Sequence, residues 1–199
     1  TGNEGYALYM NTAGALGFGI GVTLSASFAE DSAVSTGKDF ADNQWHHVLG
    51  VKTSNTKIEL FVDGVLVGSD TSLAANNTLA NTATLYVGDS DNANGTDEFL
   101  GAIDDVRIYG FAPNLDDIKA LVNMGSGAYL GSSGYATSTP GTLNNANNAK
   151  SAEYCVPGST DYCAPPVGEW KFDEKAGTTT YDTSGNGNDG VFVSAASSP

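Results

Sequence analysis

Between residues 6 and 109 the apolar positions fall into short runs separated by clusters of Gly, Asn, Asp and Ser. An antiparallel sandwich has this pattern, because each strand buries one face and wets the other before a turn reverses the chain. The runs lie at 6–10, 16–20, 22–27, 45–52, 57–62, 65–69, 84–87 and 103–109. Alternation is clearest at 57–62, where Ile58, Leu60 and Val62 are expected on the buried face, and Lys57 and Glu59 on the wet one. Asp63-Gly64 follows and leads into Val65-Leu66-Val67. Both turn residues tolerate the positive φ of a type I′ turn, so the pair predicts a tight hairpin.

One short helix is predicted after Pro113. Asn114 is its N-cap, Asp116 and Asp117 sit near its positive end, and Leu115, Ile118, Leu121 and Val122 recur at helical spacing before Gly125. Residues 126–167 are dominated by Gly, Ser, Thr, Asn, Ala and Pro with few large aliphatic side chains, the composition of a linker. Strand character resumes at 167–194 with Trp170, Phe172, Val191, Phe192 and Val193 around a turn-rich stretch from Asp182 to Gly190. The expected organisation is therefore a sandwich over 1–125, a linker over 126–167 and a further strand-and-turn unit over 168–199.

Charge changes the picture by excluding a partner. Eight Lys and Arg against 23 Asp and Glu give a net charge of −15, which repels a phosphate backbone, so no nucleic acid is expected. No run approaches the ~20 apolar residues of a membrane helix, and the first 20 residues lack the basic start and apolar block of a signal peptide. The chain starts on Thr1, which suggests a processed or excerpted N-terminus. Cys155 and Cys163 flank Pro157, Gly158 and Asp161, a turn-prone spacing that favours a local disulfide, with two free thiols as the alternative. A zinc site is not expected, because His46 and His47 are far from both in sequence.

Three segments resemble the laminin G-like jelly roll of the concanavalin A-like superfamily, in the form common in bacterial secreted proteins. Gln44-Trp-His-His-Val-Leu-Gly-Val51 with Lys57-Ile-Glu-Leu-Phe-Val-Asp-Gly-Val-Leu-Val67 is similar to its central strand pair. Leu85-Tyr-Val-Gly88 and Phe99-Leu-Gly-Ala-Ile-Asp-Asp-Val-Arg-Ile-Tyr109 with the helix are similar to its closing strand and end helix. Gly168-Glu-Trp-Lys-Phe-Asp-Glu174 and Tyr181-Asp-Thr-Ser-Gly-Asn-Gly-Asn-Asp-Gly190 resemble the opening strand and turn, displaced to the C-terminal side of everything they normally precede. The implied fold is an all-β antiparallel jelly-roll β-sandwich with one short helix. An empty opening-strand position would leave an exposed edge, so residues 168–193 are expected to pair with the closing strand at 103–109, in the same chain or in a neighbour; an independent next repeat is the alternative.

The resemblance also implies a structural Ca²⁺ between the opening turn and the closing strand, with Asp173, Asn186, Asn188, Asp189, Asp104 and Asp105 as ligands, unless the Asn-Gly-rich stretch is simply a turn. Residues 89–98 form a second oxygen-rich loop whose spacing departs from an EF-hand. Trp45, His46 and His47 invite a ligand or catalytic reading, but the family pattern places this Trp in the core. No strand offers the paired carboxylates that glycoside hydrolysis needs, and no nucleophile–base set is apparent, so an enzyme is not expected. Tyr6, Tyr9, Phe18, Tyr86 and Tyr109 are candidates for stacking on sugar rings or for the core, and Asn76 and Asn94 begin glycosylation triplets. Together these features predict an extracellular or cell-surface binding and adhesion module for glycans or surface proteins, stabilised by Ca²⁺. The alternative is a structural subunit that self-associates into a filament by strand exchange.

Overall fold

The computed structural model describes residues 5–21, 31–73, 79, 84–89, 98–122 and 166–192. The chain divides into two compact units, Thr1–Phe99 and Leu100–Pro199.

The first unit contains two antiparallel three-stranded sheets. Strands β1 (Gly5–Met10), β2 (Leu16–Gly21) and β3 (Ser32–Val34) form one in that order, and β4 (Val48–Ser54), β5 (Lys57–Val62) and β6 (Val65–Asp70) form the other. Leu16, Phe18, Ile20 and Ala33 face Ile58, Leu60, Val62 and Leu73 in a shared core, which is how alternating strands of two sheets bury their inner faces. The predicted buried face of β5 holds, since Ile58, Leu60 and Val62 are at most 3% exposed, while Lys57 Nζ and Glu59 Oε1 pair at 2.7 Å on the opposite side. Phe61 is buried as well, so that side is not wet along its whole length.

Asp63 and Gly64 adopt φ of 51° and 75°, both positive as a type I′ turn requires, and Val62 registers with Val65 across them. Gly50 on β4 has no Cβ because the Phe18 ring occupies that space, and a Cβ on Gly68 would collide with the Val34 backbone. The two sheets therefore approach each other at glycines. Strand β3 is an addition to the sequence reading, and residues 84–87, expected as a strand, are described without one. The run at 22–27 lies outside the described residues.

In the second unit, β7 (Val106–Ile108) pairs antiparallel with β8 (Gly168–Trp170), in the register Val106↔Trp170, Arg107↔Glu169 and Ile108↔Gly168. The displaced opening strand thus meets the closing strand within the same chain. A small hairpin-like pair, β9 (Thr179–Thr180) with β10 (Gly190–Val191), follows. Helix α1 (Leu115–Val122) starts as predicted: Asp117 N–H donates to Asn114 Oδ1 at 3.0 Å, and Asn114 N–H to Asp117 Oδ2 at 3.2 Å. This reciprocal box satisfies two donors that the first turn would leave orphaned, and Ile118 on the inner face is 2% exposed. Cys155, Cys163, Asn76 and Asn94 lie outside the described residues.

Candidate functional site

Two side-chain constellations stand out, one in each unit. In the second unit the organising group is Asp182, between β9 and β10. Its carboxylate accepts the backbone N–H groups of Glu169 (3.0 Å), Ser184 (2.9 Å) and Asn188 (2.9 Å), and the Asn188 side-chain amide (3.0 Å). Burial pushes its pKa up, but the Ser184 side chain and the Asn188, Glu169 and Ser184 N–H groups outweigh that and hold it far below the usual carboxylate range. Asp189 Oδ1 accepts the Asp182 N–H at 3.0 Å, and Trp170 Nε1–H donates to the Asn188 carbonyl at 2.9 Å. Glu174 closes the opposite end by accepting the Tyr181 N–H at 2.8 Å. Positive φ in this turn falls on Gly185 and Gly187, whereas Asn186 and Asn188 spend their side-chain N–H groups on the Val167 carbonyl at 3.3 and 2.9 Å.

This arrangement bears directly on the expected Ca²⁺ ligands. Asn186 and Asn188 present N–H rather than oxygen to their neighbours, and Asp189 caps Asp182. Asp104 Oδ1 accepts the Asp105 N–H at 2.9 Å, Asp105 Oδ1 pairs with Arg107 Nη2 at 3.2 Å, and Asp173 is exposed. Among the described residues no three His, Cys, Asp or Glu side chains form a metal-holding group. A resident Ca²⁺ would need six to eight oxygens turned toward it, and several of these side chains are engaged with protein partners instead.

Beside the turn, Glu169 is 2% exposed in the middle of β8, and its charge is met on both oxygens: Arg107 Nε at 2.7 Å and Thr183 Oγ1 at 2.6 Å. Burial pushes Glu169 up, and the Thr183 hydroxyl and the Arg107 guanidinium more than reverse it, so its pKa is lowered. For Arg107, burial works against the charge, and the Glu169 bond restores and raises its pKa. The sequence showed neither Asp182 nor this pair as a functional group. The available signal for Asp182 was an Asp with Ser two residues on, the spacing of an Asx turn.

In the first unit the loop before β4 is held by a histidine between two carboxylates. His46 Nδ1 lies 2.8 Å from Asp63 Oδ2, and Nε2 lies 3.2 Å from Asp42 Oδ1; the ring stands edge-on to Phe40 at 5.1 Å. Asp63, already the first residue of the hairpin turn, also accepts the His47 N–H at 2.9 Å and donates its own N–H to the His47 carbonyl at 2.8 Å. The Asp63 hydrogen bond is the main reason that His46 holds its proton above the ordinary imidazole value. Asp42 is lowered, first by the Gln44 N–H and then by His46.

A raised folded pKa contributes stability that is complete below the unfolded imidazole value of about 6.5 and is lost as pH rises through the folded value. The lowered Asp42 works at the other end, with stability lost as pH falls below the carboxylate range. Thermal melts of the first unit are therefore expected to decline from about pH 6 toward pH 8, and His46→Gln should flatten that decline. An unchanged slope in the variant would remove His46 as its source.

Trp45, expected in the core, is instead 69% exposed at the head of this anchored loop, because β4 begins only at Val48 and the preceding residues follow the Asp63 clamp. Of the other aromatic candidates, Phe18 is core at 7% exposure, Tyr6 and Tyr86 are exposed, Tyr9 is half-buried, and Tyr109 packs edge-on to Phe111.

A family model described as the concanavalin A-like lectin/glucanases superfamily (Laminin_G_3) matches residues 1–119. The chain belongs to this family, with which its antiparallel two-sheet core is consistent, and membership points to an extracellular or surface module. No curated protein matches it. Among solved structures it is similar to the crystal structure of residues 221–444 of an S-layer domain-containing protein from Clostridium thermocellum, at 24% identity over 61% of this chain, with a TM-score of 0.37. The chain covers 64% of that fragment, less than two thirds of its length. No helix among the described residues is long and apolar enough to cross a membrane.

Proposed function

We propose that the chain is an extracellular or surface module that binds carbohydrate on an aromatic platform and carries out no reaction of its own. Trp45 is the observation that carries this reading. A 69% exposed indole presents a flat apolar face to water, and the chain that carries it is anchored, because the next two residues are tied to Asp63 through His46 Nδ1 and the His47 backbone. The C–H face of a pyranose ring stacks on such a surface, and an anchored backbone has less freedom to lose on binding. Asp42 and Asp63 remain about half exposed beside it, at 47% and 49%, and supply acceptors for sugar hydroxyls.

The matched family is described by both lectins and glucanases, and the site chemistry favours the binding side. Both ring nitrogens of His46 are engaged by carboxylates, so it has no free position from which to act as a base toward a substrate. Trp45→Ala is expected to weaken retention on a bound polysaccharide at least about tenfold, close to 1.4 kcal/mol, while changing stability by no more than about 0.5 kcal/mol. A panel of soluble and insoluble polysaccharides, followed by calorimetry on the best ligand, makes the measurement. Failure of the unaltered chain to bind any of them would sink the carbohydrate reading.

Calcium is a separate test. To bind at the Asp182 turn a cation would have to displace N–H donors, so melting in excess EDTA is expected to match melting in millimolar Ca²⁺. Saturating binding would instead add about 2.7 kcal/mol at a hundredfold excess over the dissociation constant.

A further inference from the structure

We propose that residues 166–192 form a strand-donor element that can dock onto the closing strand of a second copy of this chain as well as onto its own. The inference goes beyond carbohydrate binding and does not depend on it.

Three observations carry it. First, the element holds itself together. Asp182 gathers the Glu169, Ser184 and Asn188 N–H groups, Glu174 caps Tyr181, Trp170 Nε1–H bonds the Asn188 carbonyl, and Phe172 packs on Phe192. Every one of these partners lies within 166–192, so leaving β7 does not dismantle the element. Second, its attachment to β7 is short and specific. Three residue pairs set the register, and at the middle one Arg107 reaches the Glu169 carboxylate at 2.7 Å in a place where Glu169 is 2% exposed. A buried charge paired at 2.7 Å with a guanidinium from the facing strand reads that partner closely, because another register takes the guanidinium away from it. Third, the two halves of the pair are 62 residues apart in the chain. The entropy of closing a loop grows only with the logarithm of its length, so long-range pairing in cis has a limited advantage over the same contacts made in trans, and concentration offsets it. A second copy presents an identical β7, with the same Arg107, and the docked contacts are the same in both cases.

The buried pair also supplies the test, because its charges can be reversed one side at a time in the full chain. Arg107→Glu places two acids against each other in cis, and Glu169→Arg places two bases there. Mixed at equal amounts in the millimolar range, where tethered and free segments compete, the two variants can satisfy both pairs only by exchange. The reversed position 107 of one chain then meets the reversed position 169 of the other, and the native pair forms in the opposite direction. The expected result is a species of twice the monomer mass by light scattering, formed in the mixture and absent from either variant alone. The double variant, Arg107→Glu with Glu169→Arg, restores complementarity in cis; it should fold and, at concentrations well below the millimolar range, be monomeric, which shows that the reversed charges are tolerated. Variants that stay in the mixture as they are alone, whether monomeric or aggregated, would overturn the proposal. So would homodimers of either single variant, in which every pair is of like charge.

Discussion

Replacing Asp182 by Ala is expected to destabilise the second unit by about 3 kcal/mol, since a hydrogen bond to a charged group contributes about 1.5–3 kcal/mol and neighbouring bonds do not add fully. Three backbone N–H groups and one amide converge on this carboxylate. With Ala they must find water, and the Glu169 N–H lies in a strand whose residues are all buried. Asp182→Asn keeps one acceptor oxygen and the shape while removing the charge, so its loss should be intermediate. Because the folded pKa is depressed, the stabilisation is complete above the ordinary carboxylate value of about 3.9 and is lost as pH falls below it. Melting of the unaltered unit should therefore drop more steeply from pH 4 to pH 2 than that of Asp182→Asn. Parallel curves would show that Asp182 contributes through shape alone.

The sequence signalled that residues 182–190 form a turn, but not what the turn does. Each of its polar residues was compatible with a ligand to a cation, with a left-handed dihedral or with a hydrogen-bond hub, and composition alone does not separate these. The structure gives the left-handed dihedrals to Gly185 and Gly187, turns the Asn186 and Asn188 side-chain amides to the Val167 carbonyl, and leaves Asp182 to accept from Asn188 and from the Glu169 and Ser184 N–H groups. Trp45 went unread for a related reason. Residues 45–52 have strand character throughout, but Asp63 captures His46 and His47 from across the hairpin, and so β4 starts late and the indole is turned outward.

Arg107→Ala should cost more than Asp182→Ala, about 3–5 kcal/mol, because it takes the guanidinium at 2.7 Å away from a buried, charged Glu169. At about 4 °C or more per kcal/mol for a unit of this size, melting should fall by more than about 10 °C. Glu169→Gln should cost less, since an amide oxygen can still accept from Arg107. Replacing both residues together, with Met at 107 and Leu at 169, should recover most of the loss, because apolar pairs of similar volume often match or exceed a buried ion pair. If Arg107→Ala melts within 2 °C of the unaltered chain, the pair contributes only what an exposed one would.

Local features made most of the first unit legible. The period-two pattern of 57–62 and the Asp63-Gly64 turn are complete within ten residues, and both appear where the pattern placed them. Strand β3 was hidden because Ser32, Ala33 and Val34 bring one small apolar side chain to the core, too little to form a period. The pairing of β7 with β8 could not come from any local window. It was suggested by the order of motifs, which left a closing strand without its neighbour, and the structure supplies that neighbour from the C-terminal side of the same chain.

The chain's two tryptophans divide between the units, Trp45 in the first and Trp170 in the second. Trp45 is 69% exposed before any unfolding begins, while Trp170 is 7% exposed with its indole N–H bonded to the Asn188 carbonyl. Intrinsic fluorescence will therefore respond mainly to the opening of the second unit and hardly to the loss of the larger sandwich core. Circular dichroism, which weighs every strand, will follow both. If the units melt at different denaturant concentrations, the two signals will give different midpoints for one sample, and that divergence will measure the independence of the units rather than a partly folded state of either.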